Sequence, residues 1–260
     1  MNDDRRPRLV FLAGRDEASN TVYHALSHVA DVVAVIQETP PSKTKLVKRR
    51  IRRVGLLPVV DQVLFIILAA PILKRRSVSR VEAIRTQFGM DATPIPSNVI
   101  QSVPSINHRS VIEALRAHQP DVVVINGTRI IGRRVLECVE APFINTHTGI
   151  TPAYRGVHGG YWALAEGKPD LAGVTVHYLD TGIDTGAVIA QALIHPGPED
   201  NFHTYPILQL AAGLPLLTKA VLEAQRGGLQ TIEPPTPTSR LYYHPGLIQY
   251  LTQRIRKGVR

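Results

Sequence analysis

The sequence predicts an α/β protein: a mostly parallel sheet with helices on both faces. Two observations carry this. Short apolar segments alternate with stretches of helical period, as in strand–helix–strand units. One of them, "DVVVIN" at 121–126, is apolar on both faces, as a central parallel strand must be.

The elements follow in order. "RLVFLA" reads as the first buried strand, followed by a turn at Gly14 and a helix from about Ser19 to His28. "DVVAVI" is the second strand. The run from Pro40 to about Asp91 then breaks the alternation and reads as an insertion. "NVIQSV" is a short strand, and Asn107 caps a helix with Val111, Ile112 and Leu115 at helical spacing. After "DVVVIN", a short helix around Arg133 to Val139 leads into the strand "PFINT". A Gly-rich loop, a helix near Gly160 to Glu166 and the strands "AGVTVHYL" and "AVIAQALI" come next. A long helix from about Thr204 to Glu223 and the Pro-rich "EPPTPT" close the domain. The predicted organisation is one domain over 1–225, interrupted at about 40–92, with a C-terminal extension over 226–260.

Composition narrows the function classes. A single cysteine, Cys138, excludes an internal disulfide and a four-thiolate zinc site and fits a reducing compartment. The N-terminal apolar run is too short for a signal peptide, so a cytoplasmic location is expected, with peripheral contact at the inner membrane surface as its variant. The net charge is +9, and its distribution is uneven. Between Lys43 and Arg80 stand eleven Lys and Arg against one acid, Asp61, and the remainder of the chain sums to −1. The basic surplus is therefore a local patch and not a whole-surface nucleic-acid footprint.

The insertion itself admits three readings. "KTKLVKRRIRR" leads into "VGLLPVVDQVLFIILAAPIL" and then "KRR". Two prolines and Asp61 interrupt the apolar run, which falls short of the ~20 residues of a spanning helix. It is expected either as a helical hairpin buried on the sheet or in a homodimer, or as a peripheral membrane contact through 43–80. Nucleic acid is disfavoured as a partner, because no aromatics interleave the basic residues.

The chemistry-bearing stretch is "FINTHTGITPAYRGVHGGYWAL", 143–164. Alternate strand residues share a face, so Asn145 and His147 project together where the strand ends. Such carboxyl ends are where α/β proteins bind ligands. A capped strand end with a structural histidine is the plainer reading of this stretch. Downstream, "VTVHYLDTGIDTGAVIAQ" places His177 inside a strand, where a structural role fits it best, and Asp180 and Asp184 on the following loop. Asn, His and Asp with no thiol and no G-x-S-x-G elbow suit oxyanion stabilisation and proton transfer, with the nucleophile supplied by the substrate. His158 and His195 lack ligand spacing, and no metal is expected.

"INTHTGITPAYRG" and "VTVHYLDTGIDTG", together with "VVVINGTRII", resemble the folate-dependent formyltransferase family over roughly 121–191. That family's pattern is N-x-H…P-x-Y-R-G followed by a D-x-G-x-D loop. The resemblance implies a Rossmann-like formyltransferase fold and 10-formyltetrahydrofolate as co-substrate, with a small-molecule amine as acceptor. It implies Asn145, His147 and Asp184 as the catalytic trio. Asn145 and a protonated His147 would donate to the developing oxyanion, and Asp184 would pair with His147 and relay the amine's proton. Folate would lie against Thr128, Arg129, Ile130 and Ile131 on one side and Leu179, Asp180, Thr181 and Gly182 on the other. The acceptor would meet Ser19, Asn20, Tyr154 and Arg155, the last two chiefly shaping the loop.

The departures concern the acceptor. Members acting on glycinamide ribonucleotide carry G-x-G-S-N after the first strand, where this chain has "AGRDEASN". Ser19 and Asn20 stand at a helix start, which suits an anion, whereas Asp16 and Glu17 would repel one unless turned away. A nucleotide-linked amino sugar is therefore expected beside a glycinamide-ribonucleotide-like acceptor. Thr148 replaces the family's common proline after N-x-H. Initiator-tRNA formylation is disfavoured, since only some 35 residues follow Glu223. Two alternatives stay open: a formyltetrahydrofolate hydrolase, and a non-catalytic protein binding membrane or nucleic acid through the insertion.

Overall fold

The computed structural model describes residues 5–40 and 42–260. Residues 1–4 and 41, which begin the predicted domain and belong to the predicted insertion, lie outside the described residues. So do the side chains of Lys43, Lys45, Leu46 and Arg49.

The chain opens with β1 (Arg8–Ala13), α1 (Glu17–Val29) and β2 (Asp31–Glu38), followed by four helical segments, α2 (Lys43–Val54), α3 (Leu56–Leu64), α4 (Ala70–Arg76) and α5 (Val78–Phe88). Next come β3 (Ile100–Val103), α6 (Arg109–His118), β4 (Val122–Asn126), α7 (Arg133–Leu136) and β5 (Phe143–His147). The two-residue β6 (Arg155–Gly156), α8 (Gly159–Ala165), β7 (Gly173–Tyr178), β8 (Val188–Leu193) and α9 (Tyr205–Gln225) follow. The short β9 (Leu241–Tyr242) and α10 (Leu247–Lys257) end the described chain.

Seven strands form one sheet in the order β3-β2-β1-β4-β5-β7-β8, and β6 pairs with β9 separately. From β3 to β5 all pairings are parallel, and β7 and β8 add an antiparallel edge. Leu9, Val10, Phe11 and Leu12 of β1 are fully buried, which explains an apolar run without alternation. On one face, Val22 and Leu26 of α1 and Leu217 and Val221 of α9 pack with Leu9 and Phe11. On the other, Val111 and Leu115 of α6 and Val135 of α7 pack with Val10 and Leu12. The strand order reverses between β1 and β4, so their carboxyl ends flank a crevice.

Two local expectations are corrected. The cap of α1 is Asp16, whose carboxylate accepts from the Ser19 N–H at 2.8 Å, so Ser19 is inside the helix and not at its mouth. The cap of α6 is His108. Asn107 instead accepts from the Gly132 N–H at 2.6 Å and donates to the Ile130 carbonyl at 2.9 Å, fastening the turn after β4. An asparagine side chain bonds distant backbone as well as its own helix end, and sequence spacing does not separate the two.

The insertion also departs from its expected form. Leu56–Arg76 is a continuous 21-residue helix of mean hydropathy 2.3, long and apolar enough to cross a membrane; Tyr205–Gln225 is another. Pro58 stands in the first turn, where its missing N–H costs no hydrogen bond. Pro71 is accommodated by a widened turn over Phe65–Ala69, closed by the Ala70 N–H bonding to the Phe65 carbonyl. Neither proline therefore ends the helix, which is longer than the interrupted apolar run suggested.

This helix is fastened to the body along one side only. Phe65 is fully buried among the rings of Phe202, His244 and Tyr250 at centroid distances of 4.9, 5.0 and 5.0 Å. Asp61 accepts from the Ile248 N–H at 3.0 Å, placing a carboxylate at the N-terminus of α10, and Gln62 donates to the His244 carbonyl at 2.8 Å. The chain thus continues past "EPPTPT" into a second core, to which Tyr242, Tyr250 and Val259 of the tail contribute beside Trp162 and Tyr161. Phe65→Ala should cost about 3–5 kcal/mol, the usual loss for a fully buried phenylalanine. Urea unfolding measures it, and hydrogen exchange in α10 should rise with it because the two helices share that ring.

Candidate functional site

β5 and β7 run antiparallel with Asn145 directly opposite His177 and His147 opposite Thr175. Opposed residues share a face, and so do residues two apart, so Asn145, His147 and His177 converge by pairing alone. Asp184 comes from the loop after β7, where it adopts a left-handed φ of 51°. Its carboxylate stands between the two rings, with Oδ2 3.4 Å from His147 Nδ1 and Oδ1 3.8 Å from His177 Nε2. Oδ2 also accepts from the Gly156 N–H at 2.9 Å, and Arg155 steadies the loop by donating to the Ile183 carbonyl at 3.0 Å. His147 is 6% exposed and the Asp184 side chain 15%, so little water screens the pair.

The hydrogen bonds determine the tautomers. His177 Nδ1 lies 2.7 Å from the Tyr178 carbonyl, which can only accept, so Nδ1 carries the proton. Burial pushes the His177 pKa down and keeps the ring neutral. Nε2 is then an acceptor, and the atom 3.2 Å away must be the Asn145 Nδ2. This fixes the amide orientation and leaves a second Asn145 N–H to serve the cleft. His147 differs: Nε2 lies 2.7 Å from the Tyr154 carbonyl and Nδ1 faces Asp184. Both neighbours are acceptors, so the imidazolium form satisfies both nitrogens. Both ring nitrogens of His147 are thus engaged within the protein. Gly149 makes the ring's position possible, because a Cβ there would stand 2.7 Å from Nε2 and collide with the Tyr154 carbonyl.

Asn145, His147 and Asp184 lie along a cleft of about 520 Å³ at the carboxyl ends of β1, β4 and β5. Thr128, Arg129, Ile130 and Ile131 line one wall, and Leu179, Asp180 and Gly182 the other. Thr181 is exposed and lies outside the lining. Asp180 shapes its loop by accepting from the Gly182 N–H at 2.9 Å and the Thr185 hydroxyl at 2.8 Å. Arg129 is an ion pair with Glu38 at 2.7 Å, which leans it across the end of β2.

The four residues expected to meet the acceptor are placed differently. Ser19 is fully buried and donates to Asn126 Oδ1 at 3.0 Å, and Asn20 reaches the Ala92 carbonyl at 3.4 Å. Tyr154 is 1% exposed and donates to Glu166 at 3.1 Å. None of the three, nor Arg155, lines the cleft. The helix start that suits an anion is occupied by the chain's own Asp16 carboxylate, and of the Y-R-G stretch Tyr154 is buried while Arg155 and Gly156 hold the Asp184 loop by hydrogen bonds. Sequence reasoning passed over Gly156, Val157, His158 and Pro206, which do line it. For Gly156 the only signal was its place in the motif.

A second cavity of about 570 Å³ shares Asp16, His158 and Pro206 with the first. Arg15, Lys74 and Arg85 give it a basic rim, and Leu73 of the insertion helix closes one side. Glu17 is neutralised there by Arg85 at 2.6 Å. Among the described residues, no group of three or more His, Cys, Asp or Glu is arranged to hold a metal ion.

Enclosure of the His158 ring between Phe202 and His244, at 4.3 and 4.9 Å, lowers its pKa from 6.5 to about 3. Burial lowers His177, His203 and His244 as well. The unfolded chain binds these protons first, so stability is full above the unfolded value and falls as pH drops below about 6.5. His158 alone should cost about 1–2 kcal/mol by about pH 5. Unfolding curves at neutral and acid pH measure the slope. His158→Asn, which suits that residue's left-handed φ of 59°, should flatten it.

Residues 78–206 match the family described as formyl transferase. A methionyl-tRNA formyltransferase of Synechococcus sp. (strain JA-2-3B'a(2-13)) is 35% identical over 136 residues, which is 52% of this chain and 41% of that protein. A phosphoribosylglycinamide formyltransferase of Bacillus subtilis (strain 168) is 36% identical over 97 residues, 37% of this chain and 49% of that protein. The matches thus span less than half the length of these curated relatives. A solved N-formyltransferase from Helicobacter canadensis, in complex with folinic acid and dTDP-3-aminofucose, superposes with a TM-score of 0.56. It covers 92% of this chain and 71% of that one at 16% identity, a likeness of fold. The family match takes in β4, β5 and β7, both walls of the cleft and the His147–Asp184 pair, and this part of the chain belongs to the formyl transferase family.

Proposed function

We propose that the chain is a cytoplasmic N-formyltransferase that moves the formyl group of 10-formyltetrahydrofolate to a primary amine. The observation that carries this reading is the meeting of Asn145, His147 and Asp184 on the floor of one cleft. Its volume is within the range of small-molecule sites. Apolar Ile130, Ile131 and Leu179 and the intervening peptide groups suit a flat ring system rich in edge donors and acceptors.

The residues divide the work. Asn145 offers its second amide N–H to the formyl oxygen as that oxygen gains charge, and the His147 imidazolium adds its field in a poorly screened site. Asp184 accepts a proton from the attacking amine as the bond from amine nitrogen to formyl carbon forms. When the bond from formyl carbon to the folate N10 breaks, that proton passes to N10, and the sum of protons is unchanged. His177 acts through Asn145 by fixing its amide.

The acceptor enters from the second cavity, whose basic rim supports an anionic group beside the amine: a nucleotide-linked amino sugar or a glycinamide-ribonucleotide-like molecule. The relatives' names and the bound sugar nucleotide of the Helicobacter canadensis enzyme are consistent with either.

Tetrahydrofolate release from 10-formyltetrahydrofolate, followed with a panel of amines, tests the reading. Release that requires an amine supports transfer; equal release of formate without amine would show water to be the acceptor. Asn145→Ala should lower turnover by about a hundred- to a thousandfold. Asp184→Asn should keep folate binding and lose turnover, because an amide cannot accept the proton. For the acceptor, Arg15→Gln and Lys74→Gln should raise KM for phosphate-bearing amines while leaving kcat near its original value. Unchanged KM in both variants would remove the second cavity from the reaction.

A further inference from the structure

The insertion helix buries a minority of its apolar surface, and the rest meets no partner among the described residues. Only 22% of the most apolar stretch within Leu56–Arg76 is buried. Leu57 is 81% exposed and Ile67 62%. The neighbouring α10, joined to it through Asp61 and Phe65, likewise leaves aliphatic residues exposed, Ile248 at 70% and Ile255 at 83%. Basic residues border this apolar strip. Lys48, Arg52 and Arg53 precede it on α2, Lys74, Arg75 and Arg76 end α4, and Arg254, Arg256 and Lys257 end α10.

From this arrangement we infer that the two helices form a platform that lies flat on an anionic phospholipid surface. Aliphatic residues flanked by Lys and Arg are what a helix in the interfacial plane presents to acyl chains and headgroups. A second copy of the chain is disfavoured as the occupant, because pairing the strips would bring two segments of charge +10 together, whereas lipid phosphates neutralise them. Crossing the bilayer is disfavoured too. It would strip Asp61 from the α10 amide and pull Phe65 from its aromatic cluster, leaving a carboxylate in hydrocarbon. The same helix walls the second cavity through Leu73 and Lys74, so docking places that cavity beside the lipid boundary.

Flotation of the full-length protein with vesicles tests the platform. Phosphatidylglycerol-containing vesicles should carry the protein at low salt and release it at high salt, and phosphatidylcholine vesicles alone should carry little. Each of Lys48→Gln, Arg52→Gln and Arg53→Gln should cut partition about fivefold. Ile67→Glu with Ile255→Glu should abolish it, and an unchanged Tm would show that both exposed sites left the fold intact. No binding to anionic vesicles overturns the inference, as does binding that these substitutions leave unaltered. A dimer in light scattering that Ile67→Glu dissociates, without vesicle binding, would assign the surface to a second copy.

Discussion

The site depends on one contact, the Asp184 carboxylate held against His147. A carboxylate and an imidazole this little exposed attract strongly only if both are fixed, and the structure fixes each from a different direction. Asp184 is held by the Gly156 amide in a left-handed conformation that its short polar side chain tolerates. His147 is held by the Tyr154 carbonyl, which approaches only because Gly149 has no side chain. The loop between β5 and α8 therefore positions both partners mainly through its backbone, with the Arg155 side chain holding the carbonyl of Ile183 beside Asp184. Its Tyr154 is anchored in turn on Glu166, which also accepts from the Tyr242 hydroxyl at 2.7 Å. The C-terminal tail thus bears on the loop that orients the site.

That coupling runs through the second core. Phe65 from the insertion, Phe202 before α9, Tyr161 and Trp162 from α8 and Tyr250 from α10 belong to one aromatic cluster. The segments come from four separated parts of the chain. Asp61, the only acid in the most basic segment, is explained here: it satisfies the first turn of α10, which has no side-chain cap of its own.

Much of the sheet was legible from sequence. β1, β4 and β5 are short runs buried on both faces, a pattern that needs no tertiary information beyond the presence of neighbours. The convergence of Asn145 and His147 was legible for the same reason, because strand geometry fixes which residues share a face. The antiparallel register that sets His177 opposite Asn145 was not, since it depends on how the chain re-enters the sheet after α8. The acceptor residues were the least legible. Ser19 and Asn20 fit an anion site by position, yet the carboxylate of Asp16 occupies that helix start, and Tyr154 is buried.

The sequence by itself determined the strand–helix alternation, the spacing of the polar trio, the concentration of positive charge between 43 and 80 and the family. These are local or periodic properties, written in neighbouring residues. Tertiary structure alone decided which face of the insertion helix is buried, how a widened turn absorbs Pro71, and that α10 packs beside that helix. It also decided that Asp184 stands between two histidines, because contacts between residues far apart in the chain are set by packing, and packing leaves no periodic trace in a sequence.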